Sequence, residues 1–408
     1  MNTLTQFIRE SYEDYLVLSS KDKKKLLDLD LEYGELMLIA RYETIVREIT
    51  NKDEEYEKFK ELYIDKHIKY FPKLKYKKLR YKEYNLEERA RMLLNEFRKL
   101  NCFLSKYYIK NLTRILFKIE YLENIDNKDY DDQDELDRRL YAFNDNTLNT
   151  ALNMLRKHPY KLPNEKKYEK YITAQEASEI IKKNLDKYGY DWEIIMKPNM
   201  LPRMGVNPEK TFRISKNAKF SDIDIKSLIA HEIKAHVAKR YWGYQTGLFL
   251  FVFGLNGKNE FDEGLAIWNT FNIIDEPKAN ALFKIALPYV ASYYCIKYDF
   301  CEAFDKLKEL VGNPDYNDKN IFAQLLRSKR SVLRTDKLGY WSGDIDYLNG
   351  YLSVSKMTAK ERDDILKYNI GPEQFYELPT IKKFLEKNKF KPISNTRLNK
   401  IKKKYEFF

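Results

Sequence analysis

Cysteine and histidine are both scarce in this chain of 408 residues, and the scarcity of each narrows the possible functions. The three cysteines, Cys102, Cys295 and Cys301, are too few for a disulfide framework, so a reducing, cytoplasmic location is expected. Cys295 and Cys301 lie in an apolar stretch without metal-ligand spacing, which predicts buried core thiols. The sequence also has no zinc-finger cysteine pairs, no glycine-rich phosphate loop and no internal repeat.

Signals for secretion and membrane insertion are missing as well. The N-terminal segment MNTLTQFIRE has no basic stretch followed by an apolar run, so no signal peptide is expected. The most apolar segments are 247–254 and 281–296, and a membrane-spanning helix needs about 20 apolar residues. The second segment is also interrupted by Lys284 and Pro288. We therefore expect a soluble protein without a membrane partner.

Charged side chains are abundant, at 33% of the residues, and the net charge is +12. Together with 43% hydrophobic residues, this composition is typical of globular proteins. The positive charge has two interpretations: a surface for an acidic partner, or a general compositional bias towards Lys, Asn, Tyr and Ile. The sequence contains no nucleic-acid-binding motif and no organised basic and aromatic platform, which argues against nucleic acid as the partner. It does not indicate an oligomeric state.

The chain divides into three regions by hydrophobic pattern and predicted secondary structure. Residues 1–155 follow a helical pattern, with apolar residues such as Leu93, Phe97 and Leu100 at helical spacing. Residues 156–352 mix helix and strand patterns, which predicts an α+β unit. Residues 353–408 are predicted to form a basic helical extension.

Specific elements are predicted within the middle region. A capping box formed by Thr173 and Glu176 predicts a helix over 173–187, and Ser221 with Asp224 predicts the start of the next helix. Between these helices, residues 191–196 and 211–214 have the pattern of strands, with a turn around 198–202.

Two of the four histidines lie within the segment HEIKAH, as His231 and His236, with Glu232 beside the first. Imidazoles are common zinc ligands, and an adjacent carboxylate is placed to act as a base towards an attacking water. The spacing from i to i+5 would separate the two side chains by about 140° on a regular α-helix. We therefore predict a local π-type distortion between Ala230 and Val237, without which both histidines could not bind one ion. Two histidines on a charged helix are also common as ordinary surface residues.

A third metal ligand is predicted downstream, in the segment FDEGLAIW. Glu263 lies near the start of a predicted helix, where two-histidine zinc sites acquire a carboxylate ligand, although carboxylates also favour helix N-termini without a metal. Gly264 is unfavourable in a helix, which indicates a close approach of another backbone. Asp262 is a candidate to orient a ligating imidazole from behind.

The segments HEIKAH and DEGLA resemble the paired motifs of the microtubule-associated tyrosine carboxypeptidases and their bacterial relatives with a QEGLA-type motif. A third segment, RSKRSVLRTDKLGYWSGDIDYLNGYL at 327–352, is similar to the family's basic stretch followed by an acidic-Tyr-Leu-x-Gly element. The three motifs occur in the family's order over about residues 173–352. Lys234 and Ala235 stand where the family commonly has a small residue and a threonine, and the aromatic segment 237–262 also differs from its relatives, which bears on the substrate.

The resemblance implies a zincin-like metallopeptidase domain over 156–352, with a small sheet and an active-site helix. It implies a zinc ion held by His231, His236 and Glu263, with Glu232 as the general base. It further implies removal of a C-terminal residue from a protein or peptide, which is tyrosine in the eukaryotic members.

Other candidate residues come from the third motif. Tyr347 could stabilise the oxyanion, although a tyrosine packed on an amphipathic helix is an equal alternative in a chain with 33 tyrosines. A carboxypeptidase must bind a terminal carboxylate, and guanidinium groups do so in bidentate geometry. The candidates, against the alternative of a solvated basic face, are Arg327, Arg330 and Arg334, with Arg213 on the strand 211–214 as a weaker one. That strand is also a candidate substrate-aligning sheet edge.

The leading hypothesis is a zinc-dependent carboxypeptidase that removes a C-terminal residue, tyrosine or another aromatic one. One alternative keeps the zinc but makes the protein an endopeptidase or an aminopeptidase. Another is a basic protein that binds an acidic tail or nucleic acid on an inactive peptidase fold.

Overall fold

The computed structural model of this chain is mostly helical, with small sheets in the middle of the sequence, and is therefore α+β. It describes residues 16–43, 49–76, 84–124, 143–161, 171–198, 200, 203–273, 278–329, 334–340 and 343–404. None of the helices in these ranges is long and apolar enough to cross a membrane. The predicted turn around 198–202 falls largely outside them.

Helices precede the sheets, as the pattern of residues 1–155 predicts. Asp30 shows how this part is anchored: its carboxylate is fully buried and accepts hydrogen bonds from Tyr108 Oη at 2.7 Å and from the backbone N–H of Phe249 at 2.9 Å. The helices are α1 Ser20–Glu43, α2 Lys52–Phe59 with a π-helical continuation Lys60–Asp65, α3 Leu86–Lys99, α4 Ser105–Asn124 and α5 Asp145–Lys157.

The sheets are short. Strand β1 (Tyr171–Thr173) pairs antiparallel with β5 (Lys219–Ser221), and a second sheet has the order β2-β4-β3, formed by Glu193–Lys197, Thr211–Ser215 and Met204–Val206. Strands β2 and β4 confirm the two predicted strands, whereas β1, β3 and β5 were not predicted. The hypothesis that residues 211–214 form a sheet edge is wrong, because β4 is hydrogen-bonded on both sides.

Both predicted capping boxes are present. Thr173 caps α6 (Ala174–Lys187) through Glu176, and Ser221 caps the next helix through Asp224. That helix begins as α7 (Asp222–Leu228), continues as a π-helical segment over 229–237 and ends as α8 (Ala238–Gln245).

The rest of the chain is helical and packs into two apolar cores. The larger core combines residues from α1, α3, α4, the sheets and the C-terminal helices, and the smaller one combines α5 with the helices between residues 278 and 354. The three cysteines are buried free thiols, so the prediction for Cys295 and Cys301 is confirmed. The division at 155 and 352 into separate domains stays a prediction. The helices are α9 Phe249–Phe253, α10 Lys258–Phe271, α11 Lys278–Lys297, α12 Phe300–Val311, α13 Asp318–Lys329, α14 Ile345–Val354, α15 Ala359–Tyr368, α16 Pro372–Phe375, α17 Leu378–Asn388 and α18 Asn395–Lys404.

Candidate metal centre

The π-helical segment Ile229–Val237 carries the HEIKAH motif. Its hydrogen bonds run from residue i to i+5, so residues five apart lie on the same face of the helix. His231 and His236 are such a pair, and their ring centroids are 5.0 Å apart. The predicted π-type distortion between Ala230 and Val237 is therefore confirmed.

Helix α10 brings a carboxylate to the same face. The Oε2 atom of Glu263 is 3.8 Å from Nε2 of His231 and 3.9 Å from Nε2 of His236. Each of these residues offers one ligand atom, and all of these atoms lie within 4.8 Å of one another. Two imidazole nitrogens and one carboxylate oxygen thus converge on one point.

The donor set fits a divalent cation. Glu263 Oε2 is buried and accepts no hydrogen bond from any residue that the structure describes, which is costly unless a cation binds there. Tetrahedral zinc with bonds of about 2.0–2.2 Å holds its ligand atoms roughly 3.3–3.5 Å apart. The distances of 3.8 and 3.9 Å from Glu263 to the two imidazoles need only a small contraction to match that geometry.

Asp262 lies behind His236. Its Oδ1 is 2.9 Å from Nδ1 of His236, so a proton on Nδ1 leaves Nε2 free to face Glu263. The carboxylate also pairs with Lys258 at 3.0 Å and with Lys239 at 3.4 Å. This network fixes the orientation of the His236 imidazole through Nδ1 and leaves Nε2 available as a ligand atom.

Burial and charge set the protonation of the centre. Burial lowers the pKa of His231 to about 3, so this imidazole is neutral and can donate its lone pair. Burial alone would also lower the pKa of His236, but the charges of Asp262, Glu263 and Glu232 and the hydrogen bond to Asp262 together outweigh it and raise this pKa to about 9. Burial raises the pKa of Glu263 to about 7. A cation bound between them would favour the deprotonated form of all three groups.

The centre opens into a cavity of about 540 Å³. Glu232, whose exposure is 9%, and Tyr347 both line this cavity beside the three candidate ligands. The residues from HEIKAH, from DEGLA and from the third motif are thus brought to one cavity by helices that are distant in sequence.

Glycines join the helices that carry the second and third motifs. A Cβ atom on Gly264 would overlap the backbone of Gly350, and one on Gly350 would overlap the carbonyl oxygen of Glu260. The close backbone approach predicted at Gly264 is therefore confirmed, and its partner is α14. This contact places Tyr347, which lies on α14, over the metal centre's cavity.

The arginines of the third motif were predicted to bind the terminal carboxylate of a substrate, but those that the structure describes pair with carboxylates of the protein. Arg327 Nε and Nη2 donate to the buried carboxylate of Asp344 at 2.5 and 2.8 Å, so the guanidinium of Arg327 already has a bidentate partner. Arg334 pairs with Asp336 at the surface, and Arg330 lies outside the described residues. Neither Arg327 nor Arg334 lines the cavity.

Arg213 does not line the cavity either, since it lies on the central strand β4. Among the described residues, the cations that do line it include two from α4, which the sequence reasoning missed. The Nε atom of Arg240 is buried there without a hydrogen bond in the described part of the chain. The lining cations are Arg114, Lys118, Arg240 and Lys258.

Comparison with known proteins bears on the identity of the chain. Among solved structures, a carboxypeptidase from Pyrococcus furiosus, in a form described as "Apo-Mg", is 12% identical, with a TM-score of 0.38. The alignment covers 95% of this chain and 100% of that one, but similarity at this level supports no conclusion. No curated protein matches the sequence.

A family model described as microtubule-associated tyrosine carboxypeptidase matches residues 61–404. This range extends on both sides of the segment 173–352 that carries the three motifs, and it includes α4 and the C-terminal helices. The match covers most of the sequence, and so the chain belongs to the microtubule-associated tyrosine carboxypeptidase family.

Proposed function

We propose that this protein is a zinc-dependent carboxypeptidase with a zincin-like catalytic unit, in which His231, His236 and Glu263 hold the metal. The observation that carries the proposal is the convergence of three ligand atoms within 4.8 Å on a π-helical segment and a second helix. Family membership supports the peptidase activity. The buried thiols are compatible with a reducing cytoplasm.

The ligand chemistry favours zinc over magnesium. Zinc in catalytic sites accepts two imidazoles and one carboxylate, whereas magnesium prefers oxygen ligands and keeps several waters. When bound, zinc lowers the pKa of a coordinated water and polarises the scissile carbonyl. His231 and His236 would present Nε2, and Asp262 would hold the proton on Nδ1 of His236.

Glu232 is the proposed general base. It follows the first ligand in the chain and lines the cavity, so its carboxylate can accept the proton of the attacking water and pass it to the departing amine. Tyr347 lines the same cavity, and its hydroxyl is the proposed donor to the developing oxyanion. These roles divide proton transfer and charge stabilisation between two helices.

The proposed substrate is the C-terminus of a protein or peptide, ending in tyrosine or another aromatic residue. The family name supports tyrosine. Apolar residues line part of the cavity and could hold a ring, and a volume of about 540 Å³ lies in the range of small-ligand pockets. These apolar residues include Met37, Ile115, Phe253 and Leu255.

The test is to incubate the protein with a peptide library that varies at the C-terminal residue, with and without a chelator, and to identify products by mass spectrometry. We expect loss of single C-terminal residues, aromatic ones fastest, and no products with the chelator. Glu232→Gln should bind the metal yet lose about 10²–10⁴-fold in rate or more.

Other outcomes would contradict the proposal in different ways. Internal cuts or loss of N-terminal residues would indicate an endopeptidase or an aminopeptidase. Full activity of Glu232→Gln would exclude the proposed base. Absence of metal together with salt-sensitive binding of an acidic polymer would favour a binding protein.

A further inference from the structure

One face of α4 forms a wall of the cavity. Asn111, Arg114, Ile115 and Lys118 all line it, and their spacing of i, i+3, i+4 and i+7 places them on one side of a helix. We call these four residues the α4 wall. It belongs to the N-terminal helices, far in sequence from every motif that predicts chemistry.

The polar members of the α4 wall differ in how they are paired. Asn111 donates to Tyr33 Oη at 2.8 Å and to the carbonyl of Gly254 at 3.0 Å. Arg114 Nη1 donates to Asn256 Oδ1 at 3.1 Å, which holds its guanidinium at the cavity. Lys118, in contrast, has no hydrogen bond or ion pair within the described residues.

Lys118 lines the cavity as a partly buried side chain, one helical turn from Arg114. Burial first, and the charges of Arg114 and Lys258 with it, lower the pKa of Lys118 to about 7, while the charge of Asp346 acts in the opposite direction. A partly buried ammonium group without a partner costs stability unless an anion binds to it. The position is therefore unfavourable for folding and suited to an anionic ligand.

We propose that Arg114 and Lys118 bind the free C-terminal carboxylate of the substrate. The inference rests on the proposed function, because a carboxypeptidase needs such a group. Only one residue, spanning about 3.8 Å, separates the scissile bond from the terminus, so the carboxylate must lie in the cavity that contains Glu232. Arg327 is paired with Asp344 and lies outside the lining, whereas the α4 wall is part of it.

Binding of two small probes tests the proposal without requiring hydrolysis. N-acetyl-phenylalanine has the carboxylate, and N-acetyl-phenylalanine amide has the same ring with a neutral end. By calorimetry on the full chain, we expect the acid to bind at least about tenfold more tightly than the amide, since hydrogen bonds to charged groups are the stronger ones.

Substitutions on α4 assign that preference to the wall. Lys118→Met removes the charge and keeps the apolar stem, and it should reduce the preference to about twofold or less; Lys118→Arg should retain it. The matched control is Lys110→Met on the same helix, because Lys110 is exposed and pairs with Glu373 at 3.1 Å. This control should behave as the unaltered protein, and thermal unfolding of each variant checks that it folds.

The outcomes separate this inference from the proposed function. If Lys118→Met keeps the preference for the acid, the carboxylate binds elsewhere, for example on the metal, and the inference is overturned while the peptidase proposal stands. Equal binding of acid and amide to the unaltered protein also overturns it. If the preference depends on Lys118 but no peptide is cleaved, carboxylate binding stands and the peptidase proposal falls.

Discussion

The motif-bearing wall and the α4 wall of the cavity differ in how their charged side chains are paired. The motif wall consists of the π-helical segment 229–237 and α10. There Asp262 contacts His236 at 2.9 Å and Lys258 at 3.0 Å, so the charge of Asp262 is paired before any substrate binds. On the α4 wall, Lys118 has no such partner among the described residues.

The difference separates two requirements of a catalytic cavity. A metal site needs ligands held in place in advance, and the network around Asp262 does this with its own charges. A substrate site needs a group whose interaction is completed only by the ligand, and such a group is unfavourable in the free protein. The two walls therefore respond to substitution in different ways, which the following predictions test in order of decreasing effect.

The largest effect on stability is expected at the close contact between α10 and α14. In Gly350→Ala the new methyl group would overlap the carbonyl oxygen of Glu260, a backbone atom that cannot rotate away. We expect the free energy of unfolding to fall by about 3 kcal/mol, the upper part of the range for overpacking. Chemical denaturation monitored by circular dichroism measures it.

Gly205→Ala is the control for this prediction. Gly205 lies on β3 with a backbone conformation open to any residue and nothing within 4 Å of its added Cβ. Its change should stay within about 0.5 kcal/mol, as for surface substitutions. Equal stability of the two variants would show that the helices do not depend on the glycine contact and that the motif wall is held otherwise.

The motif wall could be predicted in detail because its signals are local. The spacing of His231 and His236 is compatible with a shared metal only on a π-helical segment, and that segment is present. Gly264 indicated close packing from its propensity alone. Only the partner of Gly264 could not be predicted, since nothing in the DEGLA segment specifies Gly350.

The α4 wall could not be predicted, because its meaning depends on tertiary contacts. Arg114 and Lys118 on a helix have the pattern of a solvated face, and only the tertiary structure, which places that face at the same cavity as the metal centre, makes it a cavity wall. The opposite situation holds for Arg327, whose predicted role stays a prediction. Its motif suggested a carboxylate clamp, but Asp344 in the same motif occupies its guanidinium.

An intermediate effect is expected from Asp262→Asn, which removes charge from the motif wall only. Loss of the carboxylate behind a ligating imidazole typically weakens metal binding by about 10–100-fold. Competition with a chromogenic chelator measures zinc affinity. The affinity should fall in this range, while the preference for N-acetyl-phenylalanine over its amide should survive, because the α4 wall is unchanged.

Glu260→Gln is the control for metal binding. Its carboxylate lies on the same helix but accepts a hydrogen bond from Ser353 at 2.9 Å and not from a histidine. Zinc affinity should change by less than about twofold in this variant, since no ligand loses its partner. If Asp262→Asn binds zinc as tightly as Glu260→Gln does, the paired network does not position His236.

The smallest effect is expected from substitutions of two lysines in the same cavity. Here the sign of the change in the free energy of unfolding matters more than its size. Lys258→Met takes a partner from the buried carboxylate of Asp262, which keeps Lys239 and His236, so stability should fall by about 1 kcal/mol. Lys118→Met removes an unpaired, partly desolvated charge and should leave stability unchanged or raise it by up to about 1 kcal/mol. Thermal and urea unfolding of both variants decides between opposite signs. A loss of stability in Lys118→Met as large as in Lys258→Met would mean that Lys118 is a structural residue, and the contrast between the two walls would disappear.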